Sequence, residues 1–200
     1  MAQFEIIKDV TQTLTKVIGD TFKEAGYKDI EIYNCLPTEE NVKKLPAIVL
    51  FLTSVNVDRL LRERDGVFVS ETTEDGQVVE YETAPPVNLW LYFMLSAWGK
   101  TPQEEHVLLG LAMRTLMDNA VLSEENFDGE SLQMGEELPL RVVDDGEFGY
   151  DETMAFWRSL GEPVRPTMLY KVGARLYGVK SRREIRRVIN RELRFPRGNL

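Results

Sequence analysis

Cysteine and histidine are almost missing from this sequence: Cys35 and His106 are the only examples in 200 residues. A lone cysteine excludes an intrachain disulfide and a zinc site built on several thiolates. It fits synthesis in a reducing, cytoplasmic compartment. A lone histidine excludes HExxH and any metal site that needs a second imidazole. Phosphate-binding loops are also missing. Gly110, Gly173 and Gly178 belong to neither GxxxxGK[ST] nor GxGxxG. No apolar run reaches the ~20 residues needed to cross a membrane. The N-terminus, MAQFEIIKDV, contains Glu5 and has no apolar core of a leader, so no signal peptide is expected. Internal repeats and low-complexity tracts are absent as well.

What remains offers little catalytic material. Cys35 as a nucleophile would need an activating partner, and the sequence shows none. His106 stands beside Glu104 and Glu105. Alone it is a weak candidate for a general base or ligand. Asp144, Asp145, Glu147, Asp151 and Glu152 gather around Gly146 and Gly149. Their spacing is not that of a calcium loop, so they read as a solvated segment. No catalytic, cofactor-binding or metal-binding residues are assigned, no cofactor is expected, and the chain is expected not to be an enzyme.

The most informative stretch is Ala84 to Trp98, APPVNLWLYFMLSAW. Pro85 and Pro86 bias the chain toward an extended entry. In a strand Leu89, Leu91, Phe93 and Leu95 fall on one face, and Trp90, Tyr92 and Met94 on the other. Both faces are apolar, which predicts a central strand covered on each side. A buried helix segment is the competing reading of so short a run.

The rest of the chain reads in order around it. Phe4, Ile7, Val10, Leu14, Val17, Ile18 and Phe22 recur at helical spacing and predict a helix over 3–25, with Gly26 as its stop. Strands are expected at 30–33 and 47–57. VFVSETT and QVVEYET flank Glu74-Asp75-Gly76 and predict a polar hairpin over 67–83, projecting from the body. Thr101 with Glu104 has capping-box spacing before Pro102, so a helix over 102–119 follows. Its apolar face takes in Val107, Leu108, Leu111, Met113, Leu116 and Met117. A strand at 138–143, a helix at 152–160 stopped by Gly161, and a strand at 166–179 complete the body. The fold class is α+β: a single mixed or antiparallel sheet flanked by helices.

The C-terminal end differs in charge. Ser181 to Leu200 holds seven arginines and two glutamates, a net of +5, which leaves the remainder at −14 within a total of −9. Residues 1–180 thus form the body and 181–200 a basic arm. Local spacing predicts an amphipathic helix from Ser181. Ile185, Val188, Ile189 and Leu193 line one side, with Arg182, Arg183, Arg186, Arg187, Arg191 and Arg194 around the other. A nucleic-acid arm would not require the apolar stripe, so protein docking is the favoured reading.

Three segments carry a resemblance. APPVNLWLYFMLSAWGKTPQEEHVLLGLAMRTLMDNAVL resembles the signature of the cap, or tail-terminator, family of phage-tail-like contractile injection systems. That signature is a proline pair, an alternating apolar strand, a polar turn and a helix of the type HxLLGxAMRxL. Here the helix supplies His106, Leu108, Leu109, Gly110, Ala112, Met113, Arg114 and Leu116. AIVLFLTSVNVDRLLRERD is similar to the family's earlier strand and loop. FWRSLGEPVRPTMLYKVGARLYGV is similar to its Trp-containing helix, turn and final strand, with Thr167 where serine is usual. The resemblance implies a structural cap: a ring, expected to be six-fold, that closes the end of the inner tube and sheath. Such a ring stops tube growth and ties tube to sheath. The implied partners are further copies of the chain, an inner tube protein and a sheath protein, without cofactor or membrane, and with nucleic acid not expected. Assembly in a bacterial cytoplasm is implied, in a particle that can be released. The alternative from another class is a nucleic-acid-associated module that binds through the basic arm.

Overall fold

Apolar residues at spacings of three and four wind the first segment into a helix. A 3₁₀ turn, Gln3–Glu5, leads into α1, Ile6–Glu24. The structure, a computed structural model, describes residues 3–58, 67–72, 78–83, 85–132, 135–143, 149–177 and 183–184. After α1 come β1 (Glu31–Tyr33), β2 (Ala47–Val57), β3 (Val67–Thr72), β4 (Val78–Thr83) and β5 (Val87–Trp98). Then follow α2 (Pro102–Asp118), β6 (Val121–Leu122), β7 (Leu138–Val142), α3 (Tyr150–Leu160), β8 (Thr167–Leu176) and β9 (Arg183–Glu184). The chain divides into two compact units, one of Met1–Arg62 with Pro86–Tyr177, the other of Glu63–Pro85 with Gly178–Leu200.

The first unit is built on a six-stranded sheet in the order β1-β2-β5-β8-β7-β6. β1 joins β2 in parallel and the other pairs are antiparallel, so the sheet is mixed and the class is α+β. β5 lies inside it, between β2 and β8. Its alternation is the one its sequence dictates. Leu89, Leu91, Phe93 and Leu95 are buried in one core with Val10, Leu14, Ile18 and Phe22 of α1 and Leu108, Ala112 and Leu116 of α2. Burying each such side chain contributes about 1.5–3 kcal/mol relative to exposure.

The opposite face is covered unevenly. α3 brings Trp157 onto Ala47, Val49 and Trp98, and Phe156 onto the Met94, Val143 and Leu169 group. Trp90 and Tyr92, farther along β5, are half-buried. α2 starts as its capping residues predict. The Thr101 hydroxyl accepts the Glu104 N–H at 3.2 Å, while Glu104 Oε2 accepts the Lys100 N–H at 2.6 Å. α3 begins two residues earlier than expected, at Tyr150, because the Gly149 N–H donates to Glu152 Oε2 at 3.0 Å and caps the helix there. Gly161 ends it at φ 70°, a left-handed value that suits glycine.

The expected apolar face of α2 is too broad. Val107 is 56% and Met117 68% exposed. The buried arc facing the core is Leu108, Ala112, Thr115 and Leu116, with Leu109 and Leu111 packed partly buried against the same core. Thr115 fits there because its hydroxyl donates to the Leu111 carbonyl at 2.9 Å.

The second unit holds a three-stranded sheet in the order β3-β4-β9. β3 and β4 form the expected antiparallel hairpin, with Val67 opposite Thr83 and Thr72 opposite Val78. Its turn, 73–77, lies outside the described residues. One expectation is corrected here. Arg183 and Glu184 do not open a helix; they pair as a strand with Glu82 and Tyr81 of β4. A free backbone edge on β4 satisfies their N–H and C=O groups, and this tertiary pairing overrides local periodicity.

Candidate functional site

Neither of the two residues with catalytic potential has a catalytic setting. Cys35 is half-buried, and burial pushes its thiol pKa up, away from the reactive thiolate. His106 is exposed on α2. Among the described residues no group of three or more His, Cys, Asp or Glu side chains could hold a metal ion. Of the acidic segment, 144–148 lie outside the described residues. Asp151 and Glu152 occupy the first turn of α3, where carboxylates favour a helix N-terminus.

The polar groups that converge do so to build two rigid corners. The first joins two of the segments that carry the resemblance, the one around Trp98 and Glu105 and the one from Trp157 to Thr167, with Glu39 beside them. Arg165, from the turn before β8, lies over the Trp98 ring with its guanidinium carbon 3.9 Å from the centroid. Its Nη1 makes a charge-assisted hydrogen bond to Glu105 Oε1 on α2, and its Nη2 lies 3.7 Å from Glu39 Oε1. Glu105 also accepts the Gly99 N–H at 3.4 Å, which fixes the turn between β5 and α2. Thr167 completes the corner. Its hydroxyl accepts from the Trp157 indole at 3.1 Å and donates to the Arg165 carbonyl at 2.8 Å. The same hydroxyl chemistry is available to serine, so the departure at this position is conservative. Arg165 is thus committed to packing and ion pairing rather than to a ligand.

The second corner ties the segment after β6 to α1. Asp9, buried in the helix at 1% exposure, accepts from the Ser131 N–H at 2.9 Å and from its hydroxyl at 2.5 Å. Thr13 Oγ1 accepts the Asp128 N–H at 3.0 Å, and Lys16 Nζ reaches the Phe127 carbonyl at 3.2 Å. Gly129 sits at φ 136°, where a Cβ would lie 2.2 Å from Asp9 Cγ. Only glycine fits both the backbone and the space.

The surface shows a third arrangement. Trp90 donates its indole N–H to Asp58 Oδ2 at 2.8 Å. Arg141 and Lys171 each approach its ring to 5.5 Å. A shallow cavity of about 110 Å³ opens beside it, lined by Asp58, Trp90, Glu137, Pro139, Gly173 and Arg175 among others.

The docking residues expected on the arm divide sharply. Arg183 lies in β9. Arg182, Ile185, Arg186, Arg187, Val188, Ile189, Arg191, Leu193 and Arg194 lie outside the described residues. Sequence reading missed Arg165, Glu105, Asp9 and Ser131, whose partners are distant in the chain. The only local signal was Arg165 within the VRPTMLY segment of the resemblance.

The fold has known relatives. It is similar to the sheath/tube terminator of the extracellular contractile injection system PVC in the extended state, with a TM-score of 0.61 and 16% identity. That match covers 92% of this chain and 63% of the other. It is also similar to the anti-feeding prophage cap, described as the tube-terminating cap, with a TM-score of 0.66 and 17% identity. Here 93% of this chain and 60% of the other are covered. The chain therefore spans about three fifths of the chains it matches. A comparison with curated protein sequences gives no match. The family model described as the Pvc16 N-terminal domain matches residues 9–191, which is most of the chain; this protein belongs to the Pvc16 N-terminal domain family.

Proposed function

We propose that the chain is a structural cap, or tail terminator, of a contractile injection system. Copies form a ring, six-fold by expectation, that closes the end of the inner tube and sheath. The ring stops tube growth and ties the last sheath layer to the tube. The single observation that carries this reading is the family match over 9–191, joined to the likeness with a sheath/tube terminator and a tube-terminating cap. The buried corners around Arg165 and Asp9 support a scaffold role, because their polar groups serve packing. The role needs no catalysis or cofactor. Its partners are other copies, the tube protein and the sheath protein. Assembly takes place in a bacterial cytoplasm, within a particle that can be released. In this reading 1–180 form the body and 181–200 a docking arm. Ile185, Val188, Ile189 and Leu193 supply apolar contact, and the arginines from Arg182 to Arg194 set orientation and encounter rate.

Particles made without the chain test this. Tubes should lose their defined length, and the restored protein should appear as a ring at one end in negative-stain images. Normal capped particles in its absence would refute the role. Cys35→Ser and His106→Gln should both complement, since neither residue has chemistry to lose. Removal of 181–200 should leave a folded body that caps poorly. If the removal instead abolishes DNA binding by the intact protein and spares capping, the arm is a nucleic-acid module.

A further inference from the structure

Among the described residues, β2 has an edge that is only partly paired. β1 pairs only with its first residues, Ala47 to Val49. From Leu50 onward its outer side has no strand partner among the described residues. Ser54, Val55, Asn56 and Val57 are all exposed. The ladder to β5 decides which backbone groups are free. The Asp58 N–H donates to the Asn88 carbonyl at 2.8 Å. In the same register Asn56 lies opposite Trp90 and Ser54 opposite Tyr92, so these residues turn their backbone groups toward β5. Alternate residues of an antiparallel ladder turn the other way. Val55 and Val57 therefore present both N–H and C=O outward, with side chains 39% and 52% exposed.

Free edges are usually short or blunted by charge or proline. β1 has three residues and β6 two, while β7 carries Pro139 and Arg141. β2, AIVLFLTSVNV, has neither charge nor proline, and its one edge device is the irregularity between Leu52 and Ser54. Such an edge is a template for a strand from another chain. The second unit offers one. β3 ends the order β3-β4-β9, so one side of its six residues has no strand partner among the described residues. Joining a β3 to a β2 of another copy uses two different patches. That is a head-to-tail contact, and it leaves neither edge open when the ring closes.

We propose that β3 of one copy, Val67–Thr72, adds as a strand to the outer edge of β2 at Ser54–Val57 of the neighbouring copy. The inference rests on the ring reading above, and its test separates the two. Val57→Pro removes an outward N–H that β5 does not use, which an edge tolerates. Asn56→Pro removes an inward one. Light scattering on the full chain should give a ring-sized wild type and a Val57→Pro protein with the mass of one chain. That protein should still unfold cooperatively, below wild type only by the stability that assembly adds, whereas Asn56→Pro should melt far lower. Should Val57→Pro not fold, Val55→Lys, which keeps every N–H but charges the edge, decides in the same way. Rings of wild-type mass from the folded variant overturn the edge and leave the ring reading standing. A monomeric wild type overturns both. The occupant is tested by mixing single-cysteine chains in a Cys35→Ser background: Val55→Cys or Val57→Cys with Val69→Cys, Ser70→Cys or Glu71→Cys. Disulfide-linked mixed dimers support β3, and their absence from every pairing overturns it.

Discussion

The two faces of β5 solve the same burial problem differently. On the face under α1 and α2, Leu89, Leu91, Phe93 and Leu95 are buried together, and apolar packing fills the space. On the other face the aromatics meet cations. At one end Trp98 is buried under Arg165, which is itself held by Glu105. At the other end Trp90 is half-buried between Arg141 and Lys171, at a longer distance. The first face depends on volume. The second depends on how firmly each cation is pinned, so equal substitutions on it should have unequal effects.

The largest effect belongs to the helix-covered face. Leu91→Asp places an unpaired charge where no water reaches, a cost of several kcal/mol against a typical total of about 5–15 kcal/mol. The variant should lose its cooperative unfolding transition by circular dichroism. A soluble protein that still melts cooperatively would contradict the placement of the strand. Next comes Arg165→Ala, which strands Glu105 at the buried end of the other face. Breaking a buried pair by removing one partner costs about 3–5 kcal/mol. At about 2–4 °C per kcal/mol for a chain of this size, the melting temperature should drop by roughly 10 °C. Adding Glu105→Leu should restore part of that loss, because the uncompensated charge is then gone. If the double variant is no better than the single one, the cost lies in packing over Trp98 rather than in the charge.

A smaller effect of opposite sign is expected inside the first face. The Tyr170 hydroxyl is buried without a hydrogen-bond partner. Tyr170→Phe removes that unsatisfied group and should stabilise by up to about 1 kcal/mol in urea unfolding. Burial also raises the Tyr170 pKa above its usual 10.0. The folded state therefore favours the neutral phenol. This contribution is fully present below the unfolded pKa and is lost as pH rises through the higher folded value. Above about pH 10, wild type should lose stability that the phenylalanine variant keeps. Parallel curves for the two proteins would show that Tyr170 does not govern the alkaline loss.

These contrasts also mark what could be read from the sequence. Alternation along 89–95 and the Thr101–Glu104 cap are local patterns, and both appear in the fold. The extent of β2 and the hairpin were local too. The corner at Trp98 was not. Arg165 and Glu105 are 60 positions apart, and in a chain with 28% charged residues neither stands out. Asp9 looks like a polar-face residue of an amphipathic helix until Ser131, 122 positions away, closes over it. Val107 and Met117 fit an apolar stripe, but how wide a stripe is covered depends on neighbouring elements. Arg183 and Glu184 show the same lesson at the arm, where a distant strand edge decided the conformation.

The smallest predicted effect sharpens the comparison of the two tryptophans. Arg141→Ala removes a cation from the Trp90 ring, but the guanidinium is exposed and 5.5 Å from the centroid. Exposed cation–π contacts contribute about 0.5–1 kcal/mol. Lys171 remains at the same distance from the ring, and the Trp90 indole keeps its hydrogen bond to Asp58. The melting temperature should therefore fall by no more than about 2–4 °C, well under the drop for Arg165→Ala. Arg165→Lys adds a control at the other end, because lysine keeps the charge but not the planar fork that spans Trp98 and Glu105. It should recover only part of the Arg165→Ala loss, whereas Arg141→Lys should be indistinguishable from wild type. If Arg141→Ala instead costs as much as Arg165→Ala, the exposed end of the face is as firmly pinned as the buried one, and the distinction between them fails.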